Sequence, residues 1–236
     1  TTQHNTTQHN TTVYIVYQHP TLTISMADET PLYVSDPEKW LHTLTSGTDF
    51  VGVVIFTGHW NKYDEHYLHK LGKYNKDKMK GEGLKLIAWT SEGPEGAKQA
   101  DEKWGLTKNY GFAEVIGDDT NALAKYLVDD CILEHLVTQT PEEANAKDLI
   151  TEGTYPNGIV QPGMIWYAHH GSLVLQWESK VKSQGFFTAT RPNPPDIWEQ
   201  VLKRKHALDK GEAIMPVHGD VVRQCTSEFD VNCIIM

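Results

Sequence analysis

The chain has 236 residues, a formal net charge of −10, 39% hydrophobic and 22% charged residues, enough apolar material for one substantial core. The acidic balance, with only three arginines, argues against general nucleic-acid binding, because there is no cation excess to release counterions from phosphate. No apolar run approaches a membrane span. The three cysteines, Cys131, Cys225 and Cys233, lack disulfide-framework or metal-site spacing and predict a reducing, cytoplasmic setting.

Residues 1–12 form a polar repeat, TTQHN TTQHN TT, expected to be a solvated tail in which His4 and His9 hold no metal. Asn5 and Asn10 match the glycosylation acceptor pattern, but both belong to this one repeat. No secretory signal pattern is visible, and the first residue is Thr, so a preceding leader stays open. VYIVYQ (13–18) and LTISM (22–26) read as two short strands, an N-terminal β extension. Asp36 followed by Pro37 predicts a capped helix through Trp40, Leu41 and Leu44.

VGVVIF (51–56) is apolar on both faces, as a central strand covered by helices on each side must be. Apolar positions from Tyr63 to Met79 then recur at helical spacing, predicting a helix over 63–80 stopped by Gly81-Glu82-Gly83. LKLIAW (84–89) is a second central strand, and residues 94–104 are a helix ended by Gly105. A short strand near 112–116 leads to a helix at 121–127, followed by an irregular acidic insertion over about 128–159. MIWYAHHGSLVLQW (164–177) reads as two strands around a turn at His169-His170, and residues 196–207 as the last helix. The expectation is one α/β domain over 13–207: a central mixed β-sheet flanked by helices, with residues 208–236 as a C-terminal tail.

Five phrases in order carry a family resemblance: GHWNKYDEHYLHKL, LIAWTSEGPEGAKQADEKWGL, FAEVIGDDTNALAKYL, QPGMIWYAHHGSLVLQWES and RPNPPDIWEQVL. Together they resemble the peroxiredoxin-like branch of the alkyl hydroperoxide reductase/thiol-specific antioxidant family, over about residues 51–203. The resemblance implies a thioredoxin-like fold and a site at a strand-to-helix turn, where that family has Gly-x-Trp-Cys-x-Tyr-Cys.

Here Asn61 and Asp64 stand in place of the two cysteines. A peroxidatic cysteine works as a thiolate favoured by a helix N-terminus, and a carboxamide can neither attack a peroxide nor form a sulfenic acid. A degenerate redox site, used to bind a small polar ligand or a protein partner, is therefore expected, with no cofactor. Cys in place of Asn61 would reverse that expectation.

The competing reading is an enzyme. It would use either another thiol or acid/base chemistry at His59, Asn61 and Asp64, since an imidazole beside a carboxylate can be tuned near neutrality. Thr57, Trp60 and His66 complete the turn as ligand-binding candidates, and the resemblance implies that Gln161 and Pro162 return beside it. The plainest alternative gives Asp64 a capping role, Asn61 a local turn hydrogen bond and His66 an exposed position. His66 and His69 lie one turn apart but lack a metal signature, and Lys62 and Lys70 oppose a cation there.

Cys233-Ile234-Ile235-Met236 matches a C-a-a-X box with Met last. Prenylation of Cys233 is expected to need a second signal for stable membrane attachment, and palmitoylation of Cys225 could supply it. The expected location is the cytoplasm, with membrane association through that tether.

Overall fold

The computed structural model describes residues 30–130, 132–134, 136–140, 142–143, 155–168, 171–179, 191–218 and 224–225. The expected strands at 13–18 and 22–26, the turn at His169-His170, Cys131 and Cys233 lie outside the described residues.

The chain enters through a short helix α1 (Leu32–Ser35) and α2 (Pro37–Thr45). Asp36 caps α2 as expected, its carboxylate accepting from the Lys39 backbone N–H at 2.9 Å. Strand β1 (Phe50–Phe56) leads to α3 (Lys62–Tyr74), β2 (Leu84–Thr90), α4 (Pro94–Trp104), α5 (Leu106–Tyr110) and β3 (Glu114–Gly117). Helix α6 (Ala122–Asp129) and the small pair β4 (Thr138–Gln139) and β5 (Ile159–Val160) precede the hairpin β6 (Gly163–Ala168) and β7 (Ser172–Glu178). Then follow β8 (Arg191–Pro192), α7 (Pro194–Asp209), β9 (Val217–His218) and β10 (Gln224–Cys225).

The main sheet is six-stranded, in the order β3-β2-β1-β6-β7-β9. β1, β2 and β3 run parallel, and β6 is antiparallel to β1 and β7. Two parallel crossovers followed by an antiparallel hairpin and a helix give the expected thioredoxin-like arrangement, a central mixed sheet flanked by helices. Every residue of β1 is buried. Its side chains alternate: Phe50, Val54 and Phe56 join a cluster with Tyr67, Leu68 and Leu71 of α3 and Ile197, Trp198 and Val201 of α7. Val51, Val53 and Ile55 point the other way, onto Trp40, Leu41 and Leu44 of α2 and Leu123, Ala124 and Leu127 of α6. Period-two alternation between two covered faces is why the run is apolar throughout.

The helix expected over 63–80 changes hand-hold partway. α3 ends at Tyr74, and a π-helical turn (Asn75–Met79) and a 3-10 turn (Lys80–Glu82) follow. Asn75 is fully buried and its amide donates to the Gly111 carbonyl at 3.0 Å, while Met79 is also fully buried. The wider turn lets both side chains face inward. Gly83, at φ 82°, then reverses the chain into β2.

The stretch after Lys210 differs from the tail expected there. β9 adds to β7 in parallel, and β10 pairs antiparallel with β8. An outer strand offers unpaired backbone groups, and these short segments satisfy some of them. In that register Cys225 stands opposite Arg191.

Candidate functional site

The turn from Thr57 to Asn61 joins β1 to α3. β1 pairs with β6 so that Ile55 faces Gly163, which brings the segment before β6 alongside the start of this turn. Asn61 is the N-cap of α3: its Oδ1 accepts from the Tyr63 backbone N–H at 3.0 Å. Its Nδ2 donates to Asp64 Oδ2 at 2.9 Å and to Thr57 Oγ1 at 3.3 Å. Asp64 does not cap the helix, as the plainest sequence alternative had it. Oδ2 accepts from the Thr57 backbone N–H at 2.8 Å, and Oδ1 pairs with the Arg191 guanidinium at 2.5 Å. Both charged side chains are almost fully enclosed.

Arg191 comes from β8, 127 residues away in sequence, and its guanidinium lies over the Tyr67 ring. The Tyr67 hydroxyl donates to the Pro192 carbonyl at 3.0 Å. One face of α3 thus holds β8 by an ion pair, a ring contact and a hydrogen bond. Pro162 lines the same narrow crevice as Asp64, Tyr67, Met164, Trp177 and Arg191. Gln161 is fully buried, and both polar atoms of its side chain lack a hydrogen-bond partner among the described residues; such an orphan is rare in a native interior.

The carboxylate beside His59 is Glu92, not Asp64. Glu92 Oε1 lies 2.8 Å from His59 Nδ1, and Oε2 accepts from the His59 backbone N–H at 2.8 Å. Glu92 lies two residues beyond Thr90, the last residue of β2, whose Oγ1 donates to the Thr57 carbonyl at 3.1 Å. Tyr155 closes this side: its hydroxyl donates to the same carbonyl at 3.2 Å and accepts from Trp60 Nε1 at 2.7 Å. Burial first, and then the negative charge of Glu92, push the Tyr155 phenol far above its ordinary value of 10.0. Gly58 is required by this crowding, since a Cβ there would strike the Tyr155 hydroxyl and Trp60 Nε1.

Asn61 and Asp64 therefore gather on one side of Thr57 and the His59–Glu92 pair on the other, with the Thr57 carbonyl accepting from Thr90 and Tyr155 between them. Trp60 is half-buried at the rim, and His66 is exposed on α3 outside both groups. His69 is held elsewhere, stacked on Tyr110 with Nε2 3.0 Å from the Trp104 carbonyl. Among the described residues no group of His, Cys, Asp and Glu is arranged to hold a metal ion, and no helix is long and apolar enough to cross a membrane. Sequence reading passed over Arg191, Glu92 and Tyr155 as site residues. The one local signal was an arginine beside Pro192 in an arginine-poor chain.

The chain matches no family model and no curated protein sequence. Among solved structures it is similar to AhpC of Enterococcus faecalis, at 8% identity and a TM-score of 0.49, over 73% of this chain and 83% of that one. It is also similar to the bacterioferritin comigratory protein of Xanthomonas campestris, at 12% identity and a TM-score of 0.41, over 70% and 83%. A hypothetical protein of Sinorhizobium meliloti is similar at 15% identity and a TM-score of 0.42, over 79% and 84%.

Proposed function

We propose that this chain is a peroxiredoxin-like protein whose thiol site has become a hydrogen-bonded polar plug, serving recognition of a small polar ligand or a protein partner instead of peroxide reduction. The observation that carries this reading is the Asn61 carboxamide. Oδ1 caps α3, and Nδ2 is shared between Asp64 and Thr57, so the group that replaces the thiol is bonded into the frame. It is not presented as a nucleophile. The unpartnered Gln161 amide, buried next to Pro162, supports a recognition role, because a ligand or rearranged partner group would satisfy it.

The test is peroxide consumption with a dithiol donor, comparing the chain as it stands with Asn61→Cys. The expected outcome is no turnover above background until cysteine is introduced. Turnover by the unmodified chain that survives replacement of Cys131, Cys225 and Cys233 by Ser would remove catalysis by a protein thiol and favour acid/base assistance at the His59–Glu92 pair, with the donor dithiol itself oxidised to the disulfide as the peroxide is reduced.

A second reading keeps a thiol in play, because Cys225 on β10 stands opposite Arg191 on β8, the strand that supplies the cation to Asp64. Under that reading Cys225→Ser alone abolishes whatever turnover the unmodified chain has. Lipidation of Cys233, with Cys225 as a second acylation site, is proposed as a separate membrane tether. Mass analysis of the native C-terminus tests it, and an unmodified Cys233 would remove it.

A further inference from the structure

The solvent side of α3 and of the turns that extend it carries a run of basic residues in this acidic chain. Lys62, His66, Lys70, Lys73, Lys76 and Lys80 follow one another at intervals of three or four residues. Lys62, His66, Lys73, Lys76 and Lys80 are exposed and Lys70 is half-buried, while Tyr67, Leu68, Leu71 and Met79 on the other side are buried. Three- to four-residue intervals keep these side chains on one face of the helical segment. From His69 to Lys80 there are five lysines and one carboxylate, Asp77, in a chain whose net charge is −10. Lys76 Nζ donates to the Asn109 carbonyl at 3.0 Å, which holds that charge in place without neutralising it. The ridge runs for about 27 Å at the rise of a helix.

We infer that this ridge is a docking surface for an anionic lipid membrane, with the helical segment lying along the headgroups. Three features favour a lipid surface over other polyanions. Apart from His66 the basic groups are all lysines, hydrated point charges suited to a diffuse layer of negative charge, and none is the planar arginine fork that reads phosphate geometry. The ridge lacks an exposed aromatic or aliphatic anchor between Lys70 and Lys80, which a specific protein interface would place at its centre. Its one exposed aromatic among the described residues, Tyr63, stands at one end beside Lys62, too little for a row of stacked bases, and the acidic remainder of the chain repels an extended nucleic acid. A planar bilayer needs only the local charge, while the rest of the protein faces away. The proposal does not depend on the reading of the Asn61 site or on lipidation of Cys233.

The test uses the full, unlipidated chain and sucrose-loaded vesicles of phosphatidylcholine alone or with about 30% phosphatidylserine, a fraction chosen to give a strongly anionic surface. Cosedimentation is expected with the anionic vesicles at low salt and is expected to vanish at about 0.5 M NaCl, where the screening length falls to a few ångströms. Lys73→Gln/Lys76→Gln/Lys80→Gln is expected to weaken partitioning on the order of 100-fold, about fivefold per lysine. Lys98→Gln/Lys108→Gln/Lys125→Gln, exposed lysines elsewhere, should bind as the unmodified chain does, and circular dichroism checks that both variants fold. Equal binding to neutral vesicles, no binding to either, or equal loss in the two triple variants would overturn the inference. So would ridge-dependent binding to single-stranded polyuridine by a chain that ignores anionic vesicles.

Discussion

Asp64 and Glu92 are both 1% exposed, and both hold the turn between β1 and α3, from different elements and with different partners. Asp64 gathers a permanent cation, Arg191, and two neutral donors, the Thr57 N–H and the Asn61 amide. Glu92 gathers the backbone and ring of one residue, His59, and lies close enough to Tyr155 to raise its phenol. The first arrangement sets the carboxylate against a cation that does not titrate. The second sets it against an imidazole, with a phenol close by. Chemistry at this turn is therefore easier to imagine on the His59 side, and mechanical closure on the Asp64 side.

The largest expected effect comes from breaking the fixed pair. Arg191→Met leaves the Asp64 carboxylate buried without its cation and is expected to cost about 3–5 kcal/mol in chemical denaturation. Converting both members, with Asp64→Leu added to Arg191→Met, should recover a good part of that loss, since the apolar pair carries no desolvation penalty. A double variant no more stable than Arg191→Met would show that the network around Asp64, not the ion pair, carries the energy.

On the other side, Glu92→Gln keeps the shape but cannot accept from both His59 groups, and a loss of about 1–3 kcal/mol is expected. If this loss equals that of Arg191→Met, the contrast between the two carboxylates fails.

Alkaline titration probes the same side. The folded-state pKa of Tyr155 is raised above its unfolded value of 10.0. The resulting stability is fully present below pH 10 and is lost as pH rises above it, at most about 1.4 kcal/mol per pH unit for this group. Denaturation midpoints between pH 9 and pH 11.5 should fall less steeply in Tyr155→Phe than in the unmodified chain. Tyr167, raised chiefly by burial, keeps part of the slope in both.

Much of the frame is legible along the chain because it is set by local chemistry. Asp36 before Pro37, Gly105 after Trp104 and the two-sided apolar run of β1 each fix an element by rules that span a few residues. The cap of α3 was placed one turn too late, on Asp64, while Asn61 holds it. The partners of the site were not legible: Arg191 reaches Asp64 across 127 residues, Tyr155 reaches Thr57 across 98, and Glu92 reaches His59 across 33. Periodicity says which face of an element is buried, not which buried charge meets which. The assignment of His59 to Asp64 failed for that reason, since five residues of separation suggested a pairing that the helix geometry does not make. The β9 and β10 strands escaped notice because two-residue pairings leave no pattern to read.

The smallest expected effect decides how tightly Asn61 is tied to the Asp64 side. Asn61→Ser keeps an oxygen able to cap α3 but removes the amide donor to Asp64, whereas Asn61→Ala removes both. Loss of the cap alone is expected to cost about 1 kcal/mol, and the serine variant should fall within about 1 kcal/mol of the unmodified chain. Coupling is measured by repeating both substitutions in the Arg191→Met background. If Asn61 helps to satisfy a carboxylate already held by the guanidinium, its amide matters more once that guanidinium is gone, and the cost of Asn61→Ser should rise by about 0.5–3 kcal/mol, the range found for residues in one network. An unchanged cost would place Asn61 in the helix cap alone, with the donor to Asp64 incidental to it.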